Sequence, residues 1–280
     1  MLDGNGAEVF RHRIIAPQGN YSDTIEAIAY LVKRADNEVS ALTKIGIGIP
    51  GSLSPKTNLV RNANSTWLIG KPLKQDLEKI LKRNVLIEND ANCFAMSEAF
   101  DGAGSKANTV FGVILGTGVG AGIVIEKKIH IGKNKVAGEW GHNPLPWAHE
   151  SELPGKKCYC GRTGCLETFI SGPAIEREFT NLHGKNLNMK NIVRESGAGN
   201  LKAEQVIKNL EDRLARALAH VINILDPDSI VLGGGLSNID RLYSNVPKIW
   251  AEYIFSDDVS TVLSKAKFGD SSGVRGAAWL

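Results

Sequence analysis

Three of the chain's four cysteines fall between Gly138 and Glu167, and this stretch constrains the fold more than any other. A Glu-Trp-Gly-His turn (Glu139 to His142) is followed by Cys158-Tyr159-Cys160-Gly161-Arg162-Thr163-Gly164-Cys165-Leu166-Glu167. A histidine with Cys-x-Cys-x4-Cys offers one imidazole and three thiolates, a donor set that closes a tetrahedral zinc site and leaves no position for water. The reading is a structural Zn2+ on His142, Cys158, Cys160 and Cys165, which fixes the loop rather than activating a nucleophile. Gly155, Gly161 and Gly164 let the backbone curl so that the sulfurs converge. The competing reading is free or disulfide-bonded thiols beside an ordinary surface histidine. Three cysteines within eight residues weigh against it.

Two carboxylates say what such a loop is for. Glu139 lies three residues before His142 and Glu167 two after Cys165, so one metal would carry both acids and the imidazole to one place. Ionised carboxylates accept hydrogen bonds from hydroxyls, and charge-assisted bonds are the strong ones, so the cluster suits vicinal hydroxyls and suggests a sugar. The alternative is that both glutamates are solvated loop charges.

At 280 residues and 42% hydrophobic content the chain can bury a substantial core, and two domains are the preferred division. Net charge is only +3, and the Lys pairs at 127–128 and 156–157 are too short for a nucleic-acid face. The first eight residues hold neither a basic nor an apolar region, and no apolar run approaches a membrane span, so the expected compartment is the cytoplasm. Reducing conditions there favour thiolate ligands over disulfides.

The hydrophobic pattern predicts the elements. Leu2 to Gly6 reads as a strand end and tight turn, with Glu8 to Ala16 as the returning strand. Asp23 and Glu26 resemble a capping box for a helix to about Ala35. Lys44 to Ile49 is a strand, Pro72 to Lys82 a helix, Val85 to Ile87 a strand stopping at Glu88-Asn89-Asp90, and Ala91 to Phe100 a helix. This alternation implies a parallel sheet whose carboxyl ends carry the chemistry. Near residue 108 the plan restarts with a hairpin, Thr109 to Leu115 and Ile123 to Ile125, which divides the chain into lobes 1–107 and 108–280. Helices then fill Ile170 to Leu225, ended by Asp226-Pro227. Ile230 to Leu232 is a buried strand, and Gly273 opens a last helix.

Gly116-Thr117-Gly118, turning that hairpin, could cradle phosphate oxygens with its amides and hydroxyl, or simply be a turn. Gly233-Gly234-Gly235 at a strand's carboxyl end could admit a nucleotide, or be a tight strand-to-helix turn. Asp90 closes a strand before a helix whose dipole favours its charged form, so it can accept a hydroxyl proton while Asn89 orients the substrate; the plainer reading is a helix N-cap. Asn62, Asn64 and Trp67 lie on a polar loop from which side chains, and the Trp face, can reach a ligand. Cys93 reads as a small buried residue.

Together, Gly138-Glu139-Trp140-Gly141-His142 and Cys158-x-Cys160-Gly161-x-x-Gly164-Cys165-x-Glu167 resemble the signature of the ROK family of sugar kinases and repressors. Asn89-Asp90, Leu115 to Gly122 and Leu232 to Gly235 fall where that family has its catalytic Asp, second phosphate loop and adenosine loop. Asn62-Ala63-Asn64-Ser65-Thr66-Trp67-Leu68 and His142-Asn143-Pro144-Leu145-Pro146-Trp147 resemble most closely the bacterial fructokinase (manno(fructo)kinase) branch. The family's N-acetylglucosamine kinases tend to have Phe at the position of Trp140 and to lack the Asn-Pro.

The resemblance implies an α/β, actin-like ATPase fold of two RNase H-like lobes, with ATP and hexose in the cleft and a zinc loop over 138–167. Asp90 would be the base on the C6 hydroxyl, with Asn64, Asn89, Glu139, His142 and Glu167 on the sugar. Gly116, Thr117, Gly118, Gly233, Gly234 and Gly235 would hold ATP with Mg2+, and zinc would use one nitrogen of His142 while the sugar uses the other. Lobe closure and a homodimer are expected in the same way. The expected activity is phosphorylation of fructose, and of mannose, with glucokinase or an amino-sugar kinase as the alternative. Family members begin with a strand and Asp-x-Gly-Gly-Thr, which nothing before Leu2 supplies. A clipped sequence is therefore expected, and weak ATP binding by a chain folding as given. An inactive sugar-binding protein follows only if that loop is truly missing. A ROK repressor would need a helix-turn-helix domain, for which there is no room before Ala7.

Overall fold

The computed structural model describes residues 1–39 and 42–280. Its first sheet is a parallel pair, β1 (Ile45–Ile49) and β4 (Val85–Asn89), in the register Ile45↔Val85 to Ile49↔Asn89. The crossover between them carries a two-residue antiparallel hairpin, β2 (Ser52–Leu53) and β3 (Val60–Arg61), and helix α2 (Leu73–Leu81). Leu73 and Leu77 of α2 are buried with Ile45, Ile49 and Val85, and α1 (Tyr21–Val39) adds Ile25, so the apolar stripe of each helix meets the strands. The expected Asp23/Glu26 box does not open α1. The helix begins at Tyr21, where the Asn20 side chain accepts the Asp23 N–H at 3.3 Å.

The turn near the N-terminus forms, with Gly6 donating to the Asp3 carbonyl at 3.1 Å and a single bridge between Leu2 and Glu8. The returning strand over Glu8 to Ala16 does not extend beyond that bridge. A strand needs a ladder neighbour, a lone hairpin is marginal in water, and β1 is hydrogen-bonded only to β4 among the described residues.

The second sheet has five strands in the order β7-β6-β5-β8-β9. β5 (Thr109–Leu115) and β6 (Val119–Ile125) form the expected hairpin, β7 (Lys128–Ile129) extends it, and β8 (Ser229–Gly233) and β9 (Val262–Lys265) run parallel to β5. β5 is apolar from Val110 onward because both faces are covered. Phe111, Val113 and Leu115 face the large core built on α7 (Leu201–Leu225), α5 (Gly172–His183), α6 (Met189–Gly197) and α8 (Leu242–Trp250). Val110 and Ile114 face the opposite way, toward α3 (Asp90–Phe100). α7 lies within the helical stretch expected over Ile170 to Leu225, and its Leu210, Leu214 and Leu218 are fully buried.

α3 follows β4 directly, yet it packs on the other sheet, and two glycines explain how. Gly112 and Gly122 are register partners on β5 and β6; a Cβ on either would lie 2.7 Å from Ala95 Cβ or the Ala91 carbonyl of α3. The last helix, α9 (Ser272–Ala278), returns to lie between α3 and β1. α3 thus joins the two sheets, with its first residue at the carboxyl end of β4. Among the described residues no helix is long and apolar enough to cross a membrane.

Candidate active site

A cleft of about 930 Å³ opens at the carboxyl ends of β4 and β5. It is lined by Asn62, Asn64, Asn89, Asp90, Gly116, Thr117, Gly118, Glu139, His142 and Glu167. The fold therefore gathers residues from five separate stretches of sequence around one space.

Asp90 begins α3, and its Oδ1 accepts the Ala91 N–H at 2.8 Å. The side chain is open to the cleft, but the concave walls remove most of its bulk water. That desolvation raises its pKa, and Glu139 adds repulsion, against the Ala91 N–H that favours the anion. Asn89 is the true N-cap: its Oδ1 accepts Ala91 N–H at 2.9 Å and Asn92 N–H at 3.3 Å. Its amide nitrogen donates to the Gly51 carbonyl at 3.1 Å, which leaves one hydrogen for a ligand. Cys93 is fully buried behind the site, where burial pushes its thiol far up.

Glu139 to His142 form a 3₁₀ turn anchored by Trp140, which is buried edge-on against Phe111 with ring centroids 5.7 Å apart. The ligand atoms of His142, Cys158, Cys160 and Cys165 lie within 4.8 Å of one another. Cys160 Sγ is 3.6 Å from Cys165 Sγ, and Cys158 Sγ is 3.6 Å from His142 Nδ1. Tetrahedral zinc with bonds of about 2.3 Å to sulfur and 2.0–2.1 Å to nitrogen requires roughly 3.8 Å between sulfurs and 3.6 Å from sulfur to nitrogen, so these two pairs stand close to metal spacing. Hydrogen bonds to the Arg162 backbone and side chain hold Cys160 down at about 6, while burial pushes Cys165 up to about 12. The two arms of the loop are laced by Leu166 N–H to Asn143 O at 2.9 Å and Leu145 N–H to Gly164 O at 3.2 Å.

Glu167 opens α4 (Glu167–Ile170), and its Oε2 accepts the Val119 N–H at 2.9 Å. The Gly116-Thr117-Gly118 turn is closed by Gly116 N–H to Gly118 O at 3.0 Å. Gly233, Gly234 and Gly235 do not line the cleft. Gly233 pairs with Ile114 on the neighbouring strand and lies against the Phe94 ring, so the three glycines stand beside the turn rather than in the space it faces.

Two expectations need correction. Trp67 does not face the cleft; its ring packs with the core under the first sheet and its Nε1–H donates to Thr24 Oγ1 at 3.1 Å. The second nitrogen of His142 is taken by protein: Nε2 is 3.0 Å from the hydroxyl of Tyr159. Tyr159 was missed because it sits between two cysteines, where spacing speaks only for the sulfurs. Arg216 and Glu152, which brace the loop, were also missed. The signal for the first was an arginine within the apolar run Leu214-Ala215-Arg216-Ala217-Leu218.

The chain matches the model described as "ROK family" over residues 1–280. An N-acetyl-D-glucosamine kinase of Vibrio atlanticus is 41% identical over 276 residues, 97% of this chain and 91% of that kinase. Another, from Pectobacterium carotovorum, is 37% identical over 284 residues, 100% of this chain and 93% of the relative. Among solved structures, the ROK hexokinase from Thermus thermophilus superposes with a TM-score of 0.84 at 28% identity, covering 95% of this chain and 88% of that one. A ROK family glucokinase from Streptomyces griseus in complex with glucose and AMPPNP gives 0.79 at 27% identity, covering 99% and 93%. These curated relatives are named for N-acetyl-D-glucosamine, not fructose, so the subtype expected from the motifs has no counterpart in them. The mixed α/β fold is the actin-like fold of the ROK kinases, and the chain belongs to the ROK family.

Proposed function

We propose that this ROK protein is a cytoplasmic, ATP-dependent sugar kinase that transfers the terminal phosphoryl group of ATP to the C6 hydroxyl of a hexose. The observation that carries the reading is the convergence of Asp90, Glu139, His142 and Glu167 with the Gly116-Thr117-Gly118 turn in one cleft. Asp90 accepts the hydroxyl proton, and its raised pKa makes it a better base than a solvated aspartate. Asn64, the free hydrogen of Asn89, Glu139 and Glu167 grip the sugar hydroxyls, and His142 joins them when sugar displaces the Tyr159 hydroxyl from its Nε2. The 116–118 turn offers backbone amides to phosphate oxygens, with Gly233 to Gly235 alongside for the nucleoside. Phosphoryl transfer has a loose transition state, so positioning and charge stabilisation do most of the catalysis, and Mg2+ arriving with the nucleotide supplies charge neutralisation. The Cys3His cluster fits Zn2+ by donor set and spacing, and its part is to hold the sugar-facing acids still. The division into lobes 1–107 and 108–280, and assembly as a homodimer, belong to the same proposal.

Fructose, with mannose, is the preferred substrate in this reading, carried by Asn62 to Leu68 and His142 to Trp147. N-acetylglucosamine is the second reading, favoured by the names of relatives at 36–41% identity. A coupled assay across fructose, mannose, glucose and N-acetylglucosamine separates them. Highest kcat/KM on N-acetylglucosamine sinks the fructose preference, and no ATP-dependent turnover of any hexose sinks the kinase.

A further inference from the structure

We infer that Glu167 couples the two halves of the cleft, so that hexose and nucleotide bind synergistically through one carboxylate. The inference rests on the sugar-kinase reading and goes beyond it, because a residue expected only to hold sugar is bonded to the backbone expected to hold phosphate.

Glu167 Oε2 accepts the N–H of Val119 at 2.9 Å, and Val119 is the first residue after the Gly116-Thr117-Gly118 turn. The carboxylate lies flat on that turn: a Cβ built on Gly118 would stand 2.7 Å from the same Oε2. Five residues further along the chain, the N–H of Gly172 donates to the Gly116 carbonyl at 2.9 Å. The turn is therefore gripped at both ends by one short segment, 167–172, which itself begins two residues after the metal-cluster residue Cys165. No hydrogen bond within the described residues reaches Glu167 Oε1, and the residue lines the cleft.

A glutamate with one oxygen on a backbone amide and the other free is a two-ended clamp. A sugar hydroxyl on Oε1 removes the remaining rotamer freedom of the side chain and so fixes the oxygen that orients the Val119 amide. The turn is then ordered before phosphate arrives, and the second ligand meets a smaller entropic cost than the first. By linkage the effect is reciprocal: nucleotide on the turn tightens sugar by the same factor.

The test is calorimetric titration of the magnesium complex of the non-hydrolysable ATP analogue AMPPNP, with and without saturating fructose. The measurement is made in the same preparation assayed for turnover. N-acetylglucosamine replaces fructose if that sugar is the one phosphorylated. For the wild type the analogue binds about 5- to 20-fold more tightly with sugar present, within the usual range of coupling between sites. In Glu167→Gln, which keeps shape but loses charge, that ratio falls below about 2. In Gly118→Ala, which displaces the carboxylate from the turn's side, the ratio falls likewise. A merely structural role for Glu167 would weaken both ligands and leave their ratio intact. A wild-type ratio of one in protein that turns over hexose, or a wild-type ratio surviving in both variants, overturns the coupling and leaves the kinase standing. Absence of turnover overturns the kinase reading and the inference with it.

Discussion

Replacing Arg216 by Met tests how the loop proposed to face the sugar is held. Arg216 of α7 is fully buried and donates to the carbonyls of Pro146 and Trp147, both at 3.0 Å. It also reaches both oxygens of Glu152, at 2.9 and 3.0 Å, and Asp212 Oδ2 at 2.7 Å. The braced segment joins His142 to Cys158, so one guanidinium fixes the middle of the loop whose ends hold the Cys3His cluster. Methionine keeps the apolar stem and removes every donor. Breaking a buried pair from one side costs about 3–5 kcal/mol. Arg213, whose Nε remains 2.7 Å from Glu152, moderates the loss at that carboxylate, while two orphaned carbonyls add to it at about 1–3 kcal/mol each if they stay dry. The expected total stays near 3–5 kcal/mol. Unfolding entropy of about 2.1 cal/mol/K per residue gives roughly 0.6 kcal/mol/K for 280 residues, so Tm should fall by about 5–8 °C. In a double-mutant cycle with Glu152→Met the coupling should be at least about 2 kcal/mol, since the double variant removes both charges of that pair together. Sugar KM should rise more than kcat falls. The pH dependence follows from Glu152: burial alone would raise its pKa, but Arg216 and Arg213 hold it below the usual carboxylate range. Its stabilising contribution is therefore present above about pH 4.3 and lost as pH falls through the lowered folded value, so the deficit of Arg216→Met should shrink in acid. A Tm within about 1 °C of wild type, or a coupling near zero, would refute the reasoning.

Other expectations concern the chemistry. Asp90→Asn should lower kcat by about 10²-fold or more with sugar binding within threefold, and it should raise Tm slightly, because a carboxyl whose folded pKa is raised costs stability when ionised at neutral pH. The acid limb of kcat/KM should lie above the ordinary aspartate value of about 3.9, and Glu139→Gln should move it down, since the Glu139 charge pushes Asp90 up; an unmoved limb excludes Asp90 as the titrating base. Tyr159→Phe should free His142 Nε2 and change sugar KM while leaving ATP KM alone; equal changes in both count against a sugar-side role. Purified protein should carry about one zinc per chain by elemental analysis, and chelation should lower Tm and raise sugar KM together; metal-free protein with full activity removes zinc from the account.

What was legible in the sequence is what local spacing or periodicity determines. The convergence of His142 with the three cysteines could be read because four donor residues keep loop spacing, and the β5–β6 hairpin because a β-branched run meets a glycine turn. Asp90 could be placed because a strand stops where a helix starts. The residues that were misread depend on partners far away in sequence. Whether Glu8 to Ala16 becomes a strand is decided by a ladder neighbour, not by its own alternation. Trp67 looked like a stacking surface, yet α1 supplies Thr24 for its N–H and the core for its ring. Gly233 shares a sheet end with the 116–118 turn, and Phe94 from α3 fills the space beside it, a contact that its own glycine run could not announce. Tyr159 became visible only once His142 had a direction.

One consequence concerns which parts of the site move together. By sequence, Asp90 belongs with the first sheet, directly after β4. By packing, α3 is seated on β5 and β6 through the paired glycines Gly112 and Gly122 and held from behind by α9, where a Cβ on Gly276 would strike the Cys93 carbonyl at 1.6 Å. These are backbone-to-backbone contacts, which leave no flexible side chain to absorb sliding. The proposed base therefore shares a frame with the 116–118 turn and, through Val119, with Glu167. Asn62 and Asn64, on the loop after β3, are carried by the other sheet. Closure of the cleft would bring those asparagines to a sugar already aligned between base and phosphate, so substitutions there should act on sugar capture and release before they act on the transfer step.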